Sequence, residues 1–267
     1  MKIPLTIALL STLPMNHFSL AAIGYKNQGL LKPVNSKLFQ ALDIRMGAIS
    51  TAENNKKAKI PSLRLVMDFG EGFNDLKQTS AQLKDNYLPQ ESSSELIAAE
   101  DGRSKAQLLG IQTAAVTNFP KRHVGISSHF LTLGIVSLLG ESSGTVILVP
   151  AVACKNGAQV KLLNDSESSY EIRRLPIVEY GDTFDHLDIR VGTVISLENK
   201  LVDFGPDIGT FQYQGEYPLF KVGLQVLRVI NFEDLSGLDN FLGIVDDQKQ
   251  LIPLTLERPM PNGRFLK

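Results

Sequence analysis

The chain has 267 residues, which is enough for about two domains, and 43% of its residues are apolar, which excludes an intrinsically disordered protein. Its single cysteine, Cys154, excludes an internal disulfide and a cysteine-rich zinc site. The formal net charge of −1 is unevenly distributed: residues 37–163 carry 14 Lys and Arg against 11 Asp and Glu, whereas residues 183–267 carry 8 against 12. The first region is therefore the better candidate for contact with a polyanion, although scattered surface charge explains so small a difference equally well.

Residues 1–22 have the pattern of a targeting segment. Lys2 precedes the apolar run 3–10, and Ser19-Leu-Ala21 ends in small residues that are typical of a cleavage site. The run is too short for a stable membrane span. A secretory signal, an organellar leader and an ordinary hydrophobic N-terminus all stay open. The compartment stays open as well, between the cytoplasm and an organelle such as a plastid or mitochondrion.

The first elements of residues 37–163 are a short helix and a strand. Val34-Asn35-Ser36 offers a helix cap before a helix that ends at Leu42, and Asp182-Thr183 offers the same before Phe184. Polar and apolar residues then alternate from Asp43 onward, which predicts strand one. Gly47, like Gly192 later in the chain, lies where the strand must bend sharply or close a small barrel.

Short apolar runs that alternate with turn residues continue along this region. They predict further strands at 63–69, 77–83, 111–116, 128–135 and 145–149. Between them lie a basic loop at 52–61, an exposed insertion at 89–103 and a turn with two cations at 118–125. Short strands with many turns and one helix are typical of a small barrel of the oligonucleotide-binding kind.

The second part of the chain repeats the first. The stretch from Phe39 to Gly47 recurs from Phe184 to Gly192, with Phe, Leu, Asp, Ile, Arg and Gly at the same positions. Four later landmarks recur in the same order, at 68–70 and 203–205, 110–119 and 223–232, 133–135 and 242–244, and 156–157 and 262–263. We interpret this as a duplicated module at 37–163 and 183–267, joined by a polar linker at 164–182, whose second copy has lost loop residues.

Both copies contain an Asp and an Arg two residues apart in strand one. The pairs are Asp43 and Arg45 in the first copy, and Asp188 and Arg190 in the second. Neighbours two apart share one face of a strand. A structural role is expected for these pairs, because both copies keep them although only the first has the cations that suit binding.

Five motifs together resemble the CsaA-type tRNA-binding domain, which is also appended to methionyl- and phenylalanyl-tRNA synthetases. The matching pieces are Leu-Asp-Ile-Arg-x-Gly, Asp-Phe-Gly, Lys-Gln-Thr-Ser-Ala-Gln, Asn-Phe-Pro-x-Arg-x-x-Gly and a terminal Pro-Asn-Gly, here within Arg258-Pro-Met-Pro-Asn-Gly263. The resemblance covers most of 37–163 and 183–267.

The resemblance implies an oligonucleotide-binding barrel that forms twofold dimers, binds tRNA and has a chaperone-like role in bacterial secretion. A tandem pair would then form the dimer within one chain. We therefore expect a mainly β protein of two tandem five-stranded OB-fold barrels with short flanking helices, packed as an intramolecular pseudo-dimer. The second copy lacks the basic loop tip, the Lys-Gln pair and the Pro-x-Arg turn, which puts symmetrical tRNA binding in doubt.

The candidate RNA-binding residues all lie in the first copy. Phosphate contacts are expected from cations, because these supply most nucleic-acid affinity; the candidates are Lys77, Lys121 and Arg122, with Lys56, Lys57 and Lys59 at a loop tip. Hydrogen bonds to base edges or sugar hydroxyls are expected from Gln78, Ser80 and Gln82. Aromatic residues are scarce in the predicted strand 77–83, and the chain has no tryptophan. This favours recognition of the shape of a folded RNA over stacking of single-stranded bases. Two structural alternatives to RNA binding stay open. Residues 77–82 could form a solvated sheet face, and Arg122 could pair with a nearby acid.

Signals for catalysis, metals and cofactors are weak. Residues 140–144 match the nucleophile-elbow pattern, but a predicted strand follows where that motif needs a helix. No phosphate loop or dinucleotide fingerprint is present. We therefore expect a non-catalytic protein without cofactor or metal that binds tRNA or another structured RNA. The alternative is a chaperone-like or assembly scaffold that binds unfolded or partner proteins and has lost RNA binding.

Overall fold

The computed structural model describes residues 30–90, 105–136, 145–163 and 174–266. The first half of the molecule, residues 37–163, contains one short helix and twelve described strands: α1 (Lys37–Gln40), β1 (Ile44–Asn54), β2 (Leu63–Asp68), β3 (Thr79–Ala81), β4 (Tyr87–Leu88), β5 (Ala106–Gln107), β6 (Gln112–Val116), β7 (Arg122–His123), β8 (Ser127–Ser128), β9 (Leu131–Thr132), β10 (Gly134–Val136), β11 (Thr145–Pro150) and β12 (Val160–Leu162).

The remaining helices and strands lie in the second half, residues 183–266, and in the helix that leads into it. Its elements are α2 (Tyr180–Thr183), a 3-10 turn (Phe184–His186), β13 (Ile189–Ser196), β14 (Leu201–Asp203), β15 (Thr210–Gln212), β16 (Gln225–Val229), β17 (Leu242–Val245) and β18 (Leu251–Leu256). The predicted mainly β architecture is confirmed, with a nearly closed barrel-like sheet and a half-barrel. Among the described residues, no helix is long and apolar enough to cross a membrane.

The sheet of the first half is built around β1, in the order β3-β2-β1-β6-β9. Strand β2 alternates as predicted, with Leu63, Leu65 and Met67 buried and the residues between them less so. The inward side chains join Phe69 and Phe130 in one apolar cluster. Full burial of each such side chain contributes roughly 1.5–3 kcal/mol, so this cluster is what holds the barrel together.

Gly47 in β1 and Gly192 in β13 each make room for an aromatic ring. A Cβ atom on Gly47 would lie 2.8 Å from the Phe69 ring, and one on Gly192 would lie 2.7 Å from the Phe204 ring. Both distances are too short for a real contact, so only glycine lets the ring of the next strand fill the barrel. The predicted role of these glycines in closing a small barrel therefore has a steric cause.

The sheet of the second half is smaller, in the order β15-β14-β13-β16. Its hairpin between β13 and β14 turns over residues 197–200, whereas β1 and β2 are joined by residues 55–62. An aromatic cluster fills the interior, in which Tyr217 and Phe220 stack at 4.6 Å and both contact Phe241. The first barrel is filled instead by a mixture of aliphatic side chains and aromatic rings, among them Phe69 and Phe130.

A third sheet joins the two halves, in the order β10-β11-β18-β17-β12. Strands β11 and β18 pair antiparallel with Leu148 opposite Leu256, and β12 pairs with β17 with Val160 opposite Ile244. These four side chains belong to one apolar cluster that draws buried residues from both halves. The halves therefore share a core as well as backbone hydrogen bonds.

The segment that leads into each half docks on the other half. The Leu31 amide donates to the Asp188 carboxylate at 2.9 Å, and the Asn231 side chain donates to the Lys32 carbonyl at 2.8 Å. Reciprocally, the Leu175 amide donates to the Asp43 carboxylate at 3.2 Å. Each half thus satisfies a buried polar group of the other, which fixes their relative orientation.

The predicted Asp–Arg pairs lie at the base of these docking sites. Arg45 donates to Asp43 at 2.5 Å and to the Gly157 carbonyl at 3.2 Å, and both charged side chains are fully buried. Arg190 makes the corresponding contacts with the Asp188 carboxylate and the Gly263 carbonyl. These pairs are structural, as their presence in both halves predicted.

Several predicted elements differ from the structure. Ser36 occupies the N-cap of α1 without a capping bond, because its hydroxyl donates instead to Asp234 at 2.7 Å. Asp182 and Thr183 do not cap a helix at Phe184 but lie inside α2, which begins at Tyr180 in the predicted linker.

Two predicted strands are shorter or broken in the structure. The predicted strand 77–83 is limited to β3, and the predicted strand 128–135 is divided among β8, β9 and β10, because the chain turns to cover the barrel edge. The leader 1–22, most of the insertion 89–103, the pattern at 140–144 and residues 164–173 of the linker lie outside the described residues.

Candidate nucleic-acid interface

The candidate residues gather around the edge strand β3 and the hairpin formed by β7 and β8. This hairpin pairs Arg122 with Ser128 and His123 with Ser127. It lies against β3, because the Ser80 amide donates to the Ser128 hydroxyl at 3.2 Å. The outer edge of the first barrel is therefore covered by a small cationic hairpin.

The basic loop 55–62 is tied to the same place by Asn55. The buried Asn55 side chain donates to the Ser80 hydroxyl at 2.8 Å and to the Val124 carbonyl at 3.0 Å. The hairpin turn also touches this loop, since a Cβ atom on Gly125 would lie 2.6 Å from the backbone of Lys57. Glycine at 125, at a φ of 72°, is thus required for the loop and the hairpin to meet.

Gln78 and Ser80 are engaged within the protein. The Gln78 side chain accepts from Arg64 at 2.7 Å and donates to the Ser127 carbonyl at 3.1 Å. The Ser80 hydroxyl lies 3.1 Å from that of Ser62, in addition to its bonds with Asn55 and Ser128. Both side chains therefore hold the loop and the hairpin in place, whereas Gln82 is exposed at the end of the strand.

Besides Lys59, which is exposed, five further predicted cations are exposed. They form a band along the hairpin and its neighbours, which we call the cationic band and which consists of Lys56, Lys57, Lys77, Lys121 and Arg122. Lys121 and Arg122 lie at the start of the hairpin, Lys77 immediately precedes the hairpin-bonded Gln78, and the two loop lysines lie at the hairpin tip. Exposed cations on a fixed backbone are well placed to contact successive phosphates.

Two residues outside the predicted set extend the band at its base. The Cζ atom of Arg122 lies 5.4 Å from the centroid of the Tyr180 ring. Arg174 pairs with Asp75 at 2.7 Å, and this hydrogen bond holds the pKa of Asp75 below its usual value, against a smaller opposing effect of burial and with help from the charge of Lys121. Burial raises the pKa of Tyr180 to about 12, so its hydroxyl stays protonated.

Arg174 and Tyr180 were missed by sequence reasoning because they lie in the segment interpreted as a linker. Among the described residues Arg122 forms no ion pair with an acid, which was the structural alternative, and it packs on the Tyr180 ring. Arg122, which contacts Tyr180, precedes it by 58 residues in the sequence, so no local pattern could have revealed the contact.

The second half has no comparable band among its described residues. Lys200 is held by the Glu216 carboxylate and the Gln214 carbonyl. Arg228 lies over the Phe211 ring at 3.6 Å, and burial lowers its pKa to about 10. Where the first half has its cationic hairpin, the second has the exposed Glu233.

Aromatic rings are not available for base stacking at this surface. Among the described Phe and Tyr residues, none is exposed, and Tyr180 is half-buried beneath Arg122. Proteins that bind single strands without sequence preference rely on exposed rings. Among the described residues, this surface thus offers exposed cations on a fixed backbone and no exposed ring.

Several solved structures are similar to this chain, although no protein-family model matches it. The chaperone CsaA from Bacillus anthracis strain Ames is 34% identical, with a TM-score of 0.36, over 48% of this chain and 98% of its own. The CsaA chaperone protein from Picrophilus torridus is 25% identical, with a TM-score of 0.36, over 47% of this chain and 97% of its own. The chain is similar to CsaA chaperone structures. The C-terminal domain of Plasmodium vivax p43 is 14% identical, with a TM-score of 0.41, over 85% of this chain and 97% of its own.

Proposed function

We propose that this protein is a non-catalytic RNA-binding protein that binds tRNA or another structured RNA through the cationic band of its first half. The observation that carries the proposal is the set of five exposed cations arranged along a hairpin that is pinned to the barrel edge. Such a set supplies affinity through counterion release, and its fixed spacing supplies preference for a folded shape.

We also infer that the two halves are tandem copies of a CsaA-type domain that form a pseudo-dimer within one chain. Support comes from contacts that occur in both halves: the buried Asp–Arg pairs, the glycines beneath an aromatic ring and the reciprocal docking of the lead segments. Divergence of the surface loops then explains why one half carries the band. In this arrangement RNA binding is asymmetric.

The test is binding of purified full chain to total tRNA across a salt series. The logarithm of the affinity is expected to fall linearly with the logarithm of salt concentration, because each phosphate contact releases counterions. The double variant Lys77→Ala with Arg122→Ala is expected to bind more weakly and to reduce the salt slope by about 2, at about 1 for each lost contact.

A matched control is the double variant Lys221→Ala with Lys249→Ala, which removes two exposed lysines of the second half. Its affinity and slope are expected to equal those of the unchanged chain. Equal losses in both double variants would mean that tRNA responds to total charge and not to the cationic band. Absence of binding at low salt would contradict RNA binding altogether.

A further inference from the structure

The second-half sheet ends in a strand with an open edge. Strand β15 is the last strand of its sheet and, among the described residues, pairs with β14 alone. The Tyr213 amide donates to the Lys200 carbonyl at 2.9 Å across these strands. Because bonded pairs alternate in an antiparallel ladder, Phe211 also directs its backbone toward β14, whereas Thr210 and Gln212 direct theirs away. We call the backbone groups of Thr210 and Gln212 the open edge.

The corresponding edge in the first half is covered. There the Ser80 amide donates to the Ser128 hydroxyl at 3.2 Å, and the His129 amide donates to the Gln78 carbonyl at 2.9 Å. Ser80 in β3 and Gln78 just before it direct these groups to the same side of the strand as the open edge of β15. The cationic hairpin therefore satisfies in one half what the other half leaves exposed.

A shorter connection accounts for the difference. The connection from Asn118 to Leu133 in the first half corresponds to residues 231–242 in the second half. The connection in the second half is four residues shorter. The shorter stretch turns back on itself, with the Leu238 amide donating to the Leu235 carbonyl at 3.1 Å. It thus has too little chain to form a hairpin over β15.

The surroundings of the open edge are acidic. Asp207 is exposed in the turn before β15, and Glu198 and Glu216 are exposed beyond its other end. The Gln212 side chain reaches this end, where it donates to the Asn199 carbonyl at 3.2 Å. Two cations lie near this strand, and both are engaged. Lys200 pairs with Glu216, and Arg228 lies over the Phe211 ring and donates to the Asp239 and Leu238 carbonyls. An added strand with basic side chains would complement both the backbone groups and the charge.

We propose that the open edge pairs with an extended, basic segment of a partner polypeptide, which adds a strand to the second-half sheet. Main-chain hydrogen bonds to Thr210 and Gln212 supply the pairing, and the flanking acids select for lysine or arginine. This inference goes beyond RNA binding and uses the opposite half, so the two activities fail or succeed separately.

The first experiment uses peptides and the unchanged full chain. The probe is a ten-residue peptide of alternating valine and lysine, with two derivatives that are N-methylated at either the valines or the lysines. Strand addition needs the amides of one alternate set only, so one derivative is expected to bind at least tenfold more weakly and the other within twofold of the parent. Amide exchange at Thr210 and Gln212 is expected to slow when the parent peptide binds.

The second experiment removes the donor from the protein. Thr210→Pro removes the outward N–H of residue 210 and keeps every hydrogen bond to β14. Edge strands tolerate proline at such a position. This variant is expected to bind the peptide at least tenfold more weakly than the unchanged chain does. Thr210→Ala keeps the N–H, and its affinity for the peptide is expected to stay within twofold of that of the unchanged chain. tRNA affinity is expected to be the same for both variants.

Three results would overturn the proposal. They are equal binding of the two methylated peptides, peptide-induced protection at the cationic band in place of the open edge, and self-association of the chain through β15 without peptide binding. If Thr210→Pro does not fold, the comparison of the methylated peptides on the unchanged chain still decides the matter.

Discussion

The two halves of this molecule agree in their interiors and differ at their edges. Both contain an Asp–Arg pair in the first strand, a glycine beneath a Phe ring and an Asn that binds the lead segment of the other half. Each of these groups is buried, and each satisfies a requirement of the barrel or of the joint between halves. The motifs that recur in the sequence are therefore the framework of the fold.

The edges carry what is specific to each half. In the first, a hairpin covers the outer strand and presents cations; in the second, a shorter connection leaves the strand open among acids. Surface loops tolerate such changes because they cost little stability. Comparison of the halves therefore separates residues that hold the structure from residues that are free to acquire a binding role.

The largest effect is expected from the fully buried arginine. Arg45→Leu leaves the Asp43 carboxylate buried without its charge partner, which should lower the free energy of unfolding by about 3–5 kcal/mol. Arg190→Leu should cost less, because the side chain of Arg190 is 10% exposed and that of Arg45 is fully buried. Urea denaturation of both variants measures the difference.

The control for this comparison is the double variant Asp43→Asn with Arg45→Leu. It removes both charges and should recover part of the lost stability, since no unpaired buried charge is left. Equal losses from the single and double variants would mean that packing, and not charge, makes Arg45 important.

A smaller and equal effect is expected at the two framework glycines. Gly47→Ala and Gly192→Ala each place a methyl group within 2.8 Å of a Phe ring, which should cost about 1–3 kcal/mol of unfolding free energy. Gly181→Ala is the control, because a Cβ atom there meets no atom within 4 Å. Unequal losses at 47 and 192 would show that one barrel relaxes more readily than the other.

The framework could be predicted from the sequence because its causes are local. Alternation from Leu63 onward predicted β2, and Gly47 was predicted where the strand bends or the barrel closes, which is where it meets the Phe69 ring. These features depend on residues that are neighbours in one strand or hairpin. A pattern of period two or a repeated motif is enough to reveal them.

The interface was only partly predictable because its contacts join distant segments. The exposed cations were recognised from their type, but the bonds that occupy Gln78 and Ser80 come from residues up to 49 positions away. The Ser36 hydroxyl does not cap α1, because it bonds with Asp234, 198 residues later, whereas the Asn35 side chain accepts from the Lys37 amide. No single-sequence pattern reports such a partner.

A gain in stability is expected from a substitution at Thr113, a buried position of the first-half sheet at which the second half has a different residue. Thr113 is fully buried, and its hydroxyl has no hydrogen-bond partner among the described residues, whereas the second half has Val226 at the matching position opposite Gly192. Thr113→Val should therefore raise the free energy of unfolding by about 1 kcal/mol, since an unsatisfied buried hydroxyl costs roughly that much. Val226→Thr should lower it, and no change in either variant would contradict this account.

The smallest effect is expected at the base of the cationic band, in the pair between Arg174 and Asp75. The pKa of Asp75 is lowered in the folded state, so the pair contributes stability above the ordinary carboxyl pKa of 3.8 and loses it as pH falls through the lower folded value. Both side chains are more than a third exposed, which limits the contribution to below about 1 kcal/mol. Arg174→Ala should therefore lower the melting temperature slightly at pH 6 and not at pH 2, and a difference that persists at pH 2 would mean that packing of Arg174 on Phe73 matters more than its charge.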